Sequence, residues 1–248
     1  MKTSVKILAS VLLAQALVLS TASQAQTVAA DPAPALELTY NVGVFSDYRY
    51  RGISQTRLRP ALQGGVDATY GDFYVGAWAS NIKWLRDAGL KGGAELDLYG
   101  GYKYALNKDI TLDFGMLNYI YPSNSSKPNA NTTELYVGGA MGAYSVKYSH
   151  AISNAFGFAS SKGSGYLEAN VDYELVKGTN LQAHIGHQSI KNTSAASYTD
   201  FKVGATYEAL GGKFAASLVG TDSKNAYLTP SGKNNGKTGL VLGYTKTF

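Results

Sequence analysis

The sequence predicts an all-β protein, a transmembrane up-and-down antiparallel β-barrel of about 12 strands. Three observations predict it. Apolar and polar residues alternate with a period of two from Leu36 to Phe248, and the connections between alternating segments are short and long in turn. Tyrosine, with 19 of 248 residues, is concentrated near the ends of these segments. Because the chain has no cysteine, disulfides are not expected to stabilise this fold.

The N-terminal residues 1–25 have the pattern of a secretory signal peptide. Lys2 and Lys6 precede a short apolar run, and small residues end at Ala25. The apolar run is shorter than the ~20 residues that a membrane-spanning helix needs, which argues against an uncleaved anchor. Residues 26–35 form a Pro/Ala spacer, and 36–248 are assigned to the barrel. Cleavage lowers the formal charge from +5 to +3, too little to indicate a nucleic-acid partner.

The first strand shows the alternation most clearly. Its odd-numbered residues are polar or glycine, whereas its even-numbered residues are Leu36, Leu38, Tyr40, Val42 and Val44. The same pattern predicts twelve strands, at 36–44, 62–70, 73–82, 95–104, 110–119, 134–141, 144–150, 166–175, 181–188, 200–208, 214–220 and 240–248.

The connections predict a barrel with two unlike ends. Short turns such as 71–72 alternate with long loops such as 121–133 along the whole chain. In outer-membrane barrels the short turns are periplasmic and the long loops are extracellular. A secreted soluble barrel or sandwich is the alternative, in which the apolar side chains point inward.

Three further features favour the membrane. The strands have the length of a tilted crossing, the chain ends on Phe248, and tyrosines near strand ends suit interfacial belts. Lys246 departs from this pattern, since an apolar residue is expected there. The tyrosines assigned to the belts are Tyr48, Tyr50, Tyr70, Tyr102, Tyr104, Tyr119, Tyr121, Tyr144, Tyr148 and Tyr244.

The chain also resembles a known family. SDYRYRGISQT at 46–56, PALQGGVD at 60–67, FYVGAWASN at 73–81, ELDLYGGYKY at 95–104 and TELYVGG at 133–139 resemble the TorF family of proteobacterial porins. The resemblance implies an outer-membrane β-barrel that acts as a pore. It brings no established catalytic or ligand-binding residues.

Charged residues on the polar face of the strands are expected to line the barrel interior. Acids outnumber bases among them, which predicts a mild preference for cations. Alternatively, facing acids and bases neutralise each other in pairs. Besides Asp47, Arg49 and Arg51, the candidates are Glu37, Asp67, Glu95, Asp97, Lys103, Asp113, Glu134, Lys147, Glu168, Asp172, Asp200, Lys202 and Glu208.

Asp47, Arg49 and Arg51 are candidates for the pore mouth or constriction. Their alternation with Tyr48 and Tyr50 predicts that the charged side chains point into the mouth, while the two tyrosines meet lipid headgroups. The arginines either screen solutes or form salt bridges that hold the first long loop in place. Both hypotheses remain open at the level of the sequence.

The sequence gives no reason to expect an enzyme, a cofactor or a metal site. His184 and His187 are three residues apart and fall on opposite faces of a strand, so they cannot share one metal ion. The predicted function is a narrow outer-membrane porin for ions or small polar solutes. The alternative is a non-conducting barrel that acts through its loops as an adhesin, receptor or structural envelope protein. A loop folded inward would close the barrel, and for 121–133 there are two alternatives: it folds inward, or it is simply solvated.

The expected partners follow from a location in the outer membrane of a Gram-negative bacterium. They are lipid and lipopolysaccharide, the small solutes or ions, and the assembly machinery that binds a C-terminal strand ending at Phe248. A positive rim of loop residues would suit lipopolysaccharide phosphates. Its bases are Arg57, Arg59, Lys83, Arg86, Lys91, Lys127, Lys162, Lys191, Lys224, Lys233 and Lys237.

Overall fold

A computed structural model describes residues 34–248. The predicted signal peptide and most of the predicted spacer therefore lie outside the described residues. Two short strands, β2 (Arg49–Tyr50) and β3 (Ile53–Ser54), form a hairpin of their own. The other strands are β1 (Leu36–Phe45), β4 (Ala61–Tyr70), β5 (Phe73–Asn81), β6 (Ala94–Ala105), β7 (Ile110–Ile120), β8 (Thr132–Met141), β9 (Tyr144–Ala151), β10 (Gly165–Val176), β11 (Thr179–Ser189), β12 (Tyr198–Ala209), β13 (Gly212–Thr221) and β14 (Gly239–Thr247).

These twelve longer strands form one closed antiparallel barrel. The barrel closes between the first and last strands, where Phe45 faces Gly243 and Asn41 faces Thr247. Just beyond β14, the backbone N–H of Phe248 donates to the Tyr40 carbonyl at 2.8 Å. The predicted fold class is thus confirmed, and each predicted strand lies within two residues of the observed bounds.

The connections alternate as predicted. The short ones, 71–72, 106–109, 142–143, 177–178 and 210–211, lie at one end of the barrel, here called the turn end. The long ones, 46–60, 82–93, 121–131, 152–164, 190–197 and 222–238, lie at the other, the loop end. The loop end also carries helix α1 (Trp84–Asp87) and two 3-10 turns, Ser194–Ala196 and Asn225–Tyr227. Among the described residues, no helix is both long and apolar enough to span a bilayer.

The apolar face of the strands points outward. On β1 the five apolar side chains from Leu36 to Val44 are 45–63% exposed, and the outward residues of the other strands are similar. Acidic side chains of the opposite face, such as Asp113 and Asp200, are buried inside the barrel. The soluble-barrel alternative is therefore wrong, because it requires the reverse arrangement.

The predicted tyrosine belts are partly wrong. Tyr70, Tyr104, Tyr144 and Tyr148 are exposed on the outer surface near strand ends, as expected. In contrast, a second set is only 3% exposed or packs within the barrel, and it consists of Tyr48, Tyr50, Tyr119 and Tyr121. These rings join Trp78 and Tyr99 in a buried cluster, so the main core lies inside the barrel.

Lys246 lies next to the C-terminal aromatic residue. Its ammonium group is 5.0 Å from the centre of the Phe248 ring. A long cationic side chain at the turn end can keep its charge near water while its stem covers apolar surface. This placement explains how a lysine is tolerated where the pattern predicts an apolar residue.

Candidate functional site

The first long connection, residues 46–60, folds into the barrel. We call it the inserted loop. It leaves the wall at β1, and its Arg51 reaches β8 and β11, which are five and four strands away around the barrel. Its residues from Gly52 to Thr56 are all buried. The inserted loop thus crosses the interior rather than extending from the loop end.

The tip of the inserted loop is a tight hairpin. Arg49 pairs with Ser54 and Tyr50 with Ile53, so Arg51 and Gly52 are the two turn residues. Their φ angles are 46° and 76°, and a two-residue turn with both φ values positive matches the twist of a β-hairpin. Glycine is also needed for space, because a Cβ on Gly52 would lie 2.7 Å from the Asp200 Cβ. The local sequence therefore places Arg51 at the tip.

Arg51 anchors the tip to the opposite wall. Its guanidinium donates to both Glu134 oxygens, at 3.0 and 2.6 Å, and to Gln188 Oε1 at 2.6 Å. The same group lies 4.1 Å from the Tyr166 ring centre and 4.8 Å from that of Tyr50. The two charged side chains are only 6% and 3% exposed. Removing one partner of such a buried pair typically costs about 3–5 kcal/mol.

The Arg51 side chain is protonated and positively charged. Burial would by itself lower the pKa of Arg51, but the adjacent Glu134 carboxylate more than compensates and raises it above the usual arginine value. Burial also raises the pKa of Tyr50, so this ring remains neutral beside the guanidinium. The anchor is therefore a charged ion pair held between aromatic rings.

Asp47 and Arg49 hold the base of the inserted loop. The Asp47 carboxylate accepts from Arg49 Nε at 2.5 Å, from Ser54 Oγ at 2.5 Å and from Thr56 Oγ1 at 3.0 Å. Arg49 also donates to the carbonyls of Gly52 and Asn235, both at 2.9 Å. These contacts join residues within the inserted loop and connect the loop to 222–238. Asp47 and Arg49 therefore stabilise the shape of the inserted loop.

Tyr48 and Tyr50 correct the sequence-based prediction, which placed them at lipid headgroups. Tyr48 donates to Glu95 at 2.8 Å and packs edge-on against Trp78. Tyr50 donates to the Tyr119 hydroxyl at 2.7 Å. The period-two pattern fails here because β1 ends at Phe45, and the chain beyond it turns into the barrel.

Of the two alternatives for 121–133, the solvated loop is the one observed. Residues 122–129 are exposed or only partly buried, and in 121–131 just Tyr121 and Ala130 are buried. Asn side chains stabilise this connection locally, as when Asn131 Oδ1 accepts from the Tyr121 N–H at 2.9 Å. The loop that crosses the barrel is 46–60.

One part of the interior wall carries ion pairs. Lys147 forms one with Glu168, at 2.9 Å, and beside it His184 Nε2 hydrogen-bonds Asp200 at 2.8 Å. Tyr166 donates to Asp200 at 2.9 Å, which links this cluster to the ring beneath Arg51. Acids and bases on β9–β12 thus neutralise each other in part.

The acids on β4–β7 are paired differently. Asp113 accepts from Tyr74 at 2.7 Å, Asp67 accepts from Tyr99, and Glu95 accepts from Tyr48. Neutral hydroxyl groups leave the negative charge of a carboxylate in place, whereas an ion pair cancels it. The interior acids here are Asp67, Glu95, Asp97 and Asp113 against the single base Lys103, so this wall has a larger excess of acidic groups than the wall on β9–β12.

The predicted lining residues fall into three groups. Glu37 and Glu208 lie at the turn end and are exposed, so they form its rim rather than the lined interior. Partly buried residues of the interior wall are Lys103, Lys147, Asp172 and Lys202. Buried residues are Asp67, Glu95, Asp97, Asp113, Glu134, Glu168 and Asp200.

Sequence reasoning missed the neutral partners of these charges. Gln188, Tyr166, His184 and Asn170 all lie on the inward face by the same alternation that identified the charged residues. His184 Nδ1 lies 2.6 Å from Asn170 Oδ1. The alternation of inward and outward residues could have placed these side chains in the interior, but their contacts depend on which strands are neighbours. Across residues 34–248, no cluster of three or more histidine or acidic side chains is placed to hold a metal ion.

The fold and the site define a class of protein: a closed twelve-stranded antiparallel barrel, apolar outside and charged inside, with a loop across its interior. The chain belongs to the family described as "Bacterial protein of unknown function (Gcw_chp)". The model of that family matches residues 29–248. That family does not carry the TorF name, so the resemblance to TorF stays a prediction. No curated protein sequence matches the chain.

Some solved structures with a similar fold are porins by name. The KdgM porin has a TM-score of 0.54 at 11% identity, with 86% of this chain and 99% of that chain covered. The NanC porin has a TM-score of 0.55 at 12% identity, with 85% and 98% covered. A KdgM porin in complex with disordered oligogalacturonate has a TM-score of 0.53 at 11% identity, with 86% and 99% covered. At these identities the similarity shows the fold.

Proposed function

We propose that this protein is a narrow outer-membrane porin for passive diffusion of ions or small polar solutes, with the inserted loop as its constriction. One observation carries the proposal: an exposed apolar exterior surrounds a charged interior on a closed barrel. A bilayer stabilises such an exterior, and a closed barrel leaves no strand edge unpaired in lipid. The porin names of the similar structures support it.

The barrel is then oriented with its loop end outside the cell and its turn end in the periplasm of a Gram-negative bacterium. Export would use the predicted signal peptide, and the strand ending at Phe248 would engage the assembly machinery. Basic residues of the long connections, such as Lys91 and Lys162, would contact lipopolysaccharide phosphates. Membership of the TorF family is part of the same proposal.

The passage would be narrow. About eight strands leave an interior filled by side chains and 16–18 leave an open channel, so twelve strands are intermediate. Here the inserted loop occupies part of that interior. Residual negative charge on β4–β7, including Asp67 and Asp113, favours cations over anions.

The Arg51 anchor also supports a second candidate, a non-conducting barrel that acts through its loops. A buried ion pair, a hydrogen bond to Gln188 and two ring contacts hold the inserted loop across the barrel. If this arrangement is permanent, solutes would not pass. The two candidates differ in whether the anchored loop leaves room for ions.

Planar-bilayer recording of the refolded chain, with asymmetric salt, tests the proposal. We expect discrete conductance steps and a reversal potential that favours cations. Arg51→Gln should enlarge the steps because it frees the tip of the inserted loop. Lys108→Gln is the matched control, since this turn-end lysine is 89% exposed and should change nothing. Folded protein that is silent both with and without Arg51→Gln would refute the porin and favour the second candidate.

A further inference from the structure

Two histidines lie on the outer, lipid-facing surface of the barrel near the loop end. His150 is near the end of β9 and His187 is on β11, and both side chains are exposed. The register places Tyr148, Leu167 and His187 in one row across β9, β10 and β11, with His150 one step closer to the loop end. Exposed tyrosines near strand ends mark the level of the lipid headgroups, and Tyr148 is one of them. Both histidines therefore lie at headgroup level.

Each histidine has one ring nitrogen free. His150 Nδ1 lies 3.2 Å from the Tyr148 hydroxyl, and His187 Nδ1 lies 3.1 Å from the Thr199 hydroxyl. When these hydroxyl groups donate to Nδ1, the ring proton is on Nε2. Neither Nε2 atom has a hydrogen-bond partner among residues 34–248. Both rings can thus donate an N–H to a molecule outside the protein.

Two lysines lie beside His150. A Cβ on Gly163 would be 3.5 Å from the Lys191 ammonium nitrogen and 3.9 Å from Cε1 of His150, so these two groups lie close to the same point. Lys162 is the residue before Gly163, and the side chains of both lysines are exposed. We call His150, His187, Lys162 and Lys191 the basic face.

Hydrogen bonds hold the two lysine-bearing connections together. The Lys191 N–H donates to Ser164 Oγ at 3.0 Å, and the Asn192 side chain donates to the Ser160 carbonyl at 2.8 Å. Each bond joins the connection after β11 to the connection before β10. Both lysines are therefore held over the outer ends of β9, β10 and β11.

The charge of the two lysines is not cancelled within the protein. Neither Lys162 nor Lys191 forms an ion pair with a carboxylate of residues 34–248. Asp222 lies on the same outer surface, where its carboxylate accepts from the Thr199 N–H at 2.7 Å. Thr199 is on β12 and Asp222 follows β13, so this acid borders the basic face at the edge away from His150 on β9. The part of the basic face around His150 is thus positively charged.

Apolar side chains continue the outer surface from the basic face toward the turn end. Val146 and Ile185 lie one step from Tyr148 and His187 in that direction and are 53% and 57% exposed. A ligand that contacts both regions must combine a negative group with hydrocarbon chains. A phosphate that is part of a lipid has this chemistry, and a bilayer presents it with the phosphate at headgroup level and the chains below.

We propose that the basic face binds a lipopolysaccharide molecule of the outer leaflet through one of its lipid phosphates. The phosphate accepts from the Nε2 N–H of His150 and lies against the Lys191 ammonium group, while the acyl chains cover Val146 and Ile185. Lys162 and His187 contact neighbouring polar groups of the same headgroup. This inference rests on the proposed function for the location in the outer membrane. It deepens that function by placing the lipid on one face of the barrel rather than around the whole loop end.

Fluorescence anisotropy of labelled lipopolysaccharide, titrated with the refolded chain in detergent, tests the proposal. Lys191→Gln should weaken binding about fivefold, as expected for the loss of one cation at an anionic lipid surface. His150→Leu should weaken it at least about tenfold, because hydrogen bonds to charged groups are stronger than those between neutral groups. Lys191→Arg keeps the charge and should bind like the natural chain.

Lys91→Gln is the matched control. Lys91 is an exposed lysine on the connection 82–93, at the same end of the barrel but away from the basic face. The same substitution there should change the affinity by less than about twofold, because charges farther apart than the Debye length are screened. Lipopolysaccharide whose lipid phosphates have been removed should bind the natural chain and Lys191→Gln equally weakly.

Three results would overturn the proposal. Equal losses of affinity in Lys91→Gln and Lys191→Gln would show a diffuse positive rim instead of a site. Undiminished binding of the dephosphorylated form would exclude phosphate as the group that is bound. Competition by inorganic phosphate or by phosphatidylglycerol, at the concentration of lipopolysaccharide, would show a site for any phosphate from solution or from phospholipid.

The binding measurement needs no membrane current, so its failure leaves the porin proposal intact. Conversely, a silent bilayer would leave a measured lipopolysaccharide site standing. Because His150 and Lys191 lie on the outer surface, Lys191→Gln should leave the single-channel conductance unchanged. The two proposals therefore fail separately.

Discussion

The guanidinium of Arg51 donates to both carboxylate oxygens of Glu134, a residue 83 positions later on the opposite wall of the barrel. This ion pair ties the tip of a loop that starts at β1 to β8. It is buried, and its partners are fixed by Gln188 and by the rings of Tyr50 and Tyr166. This ion pair therefore helps to position the inserted loop, together with the hydrogen bonds from Tyr48 to Glu95 and from Tyr50 to Tyr119.

Exchanging the two charges tests that contact. Arg51→Glu or Glu134→Arg alone leaves like charges facing each other, so either variant should free the loop and raise single-channel conductance. The double variant restores the pair in reverse, and its conductance should return toward that of the natural protein. The free energy of loop release is compared among the natural protein, the two single variants and the double variant. We expect a coupling energy of about 1–3 kcal/mol between residues 51 and 134. Additive effects of the two changes would contradict a direct pair.

Gly52→Ala should displace the inserted loop without changing any charge. The positive φ of 76° strains alanine by about 1–2 kcal/mol, and its Cβ would press on Asp200. We expect larger conductance steps than in the natural protein. Gly142→Ala is the control, because its φ is 57° but nothing lies within 4 Å of the new Cβ. Equal effects of both variants would show that backbone strain alone is responsible.

Gly115→Ala should destabilise the barrel wall. The new Cβ would collide with the Tyr136 ring and lie 2.6 Å from the Gly100 carbonyl oxygen, which cannot move independently of its strand. A loss of about 1–3 kcal/mol in unfolding free energy is expected, measured by urea unfolding in detergent. Gly139→Ala places its Cβ at an ordinary 3.6 Å from Leu112 and should be near neutral.

Asp113→Asn should reduce cation selectivity. This acid is paired with the neutral Tyr74 hydroxyl, so its charge is not cancelled by an ion pair. The reversal potential in asymmetric salt should move toward zero while the conductance steps persist. Asp109→Asn serves as the control, since Asp109 lies in an exposed turn beside Lys108. An unchanged reversal potential in Asp113→Asn would argue that this wall does not contact the permeating ions.

Alkaline pH should weaken the inserted loop. Burial, and then the nearby Glu95 carboxylate, raise the pKa of Tyr48 well above its ordinary value of 10.0. Because the folded pKa is the higher one, this contribution to stability is complete below about pH 10 and is lost as the pH rises further. The melting temperature should therefore stay level up to about pH 10 and fall as the pH is raised from about 10 to about 12. Tyr48→Phe, which cannot ionise, should show a smaller fall, and an equal fall would exclude Tyr48 as a cause.

The number, bounds and faces of the strands were determined by the sequence alone. Period-two alternation and turn length are local properties, so β1 could be placed from Leu36 onward without knowing its neighbours. The same alternation identified most of the charged interior, including Asp113, Glu134 and Asp200. These predictions succeeded because each residue on a strand must face one side or the other.

Only the tertiary structure decided which loop enters the barrel and what its residues contact. Tyr48 and Tyr50 continue the alternation of β1 in the sequence, yet they lie inside because the strand ends at Phe45. Arg51 binds Glu134 and Gln188. Both partners come from distant strands that are brought within reach when the barrel closes. No local pattern encodes such pairs, since their energy depends on burial and geometry that exist only in the folded chain.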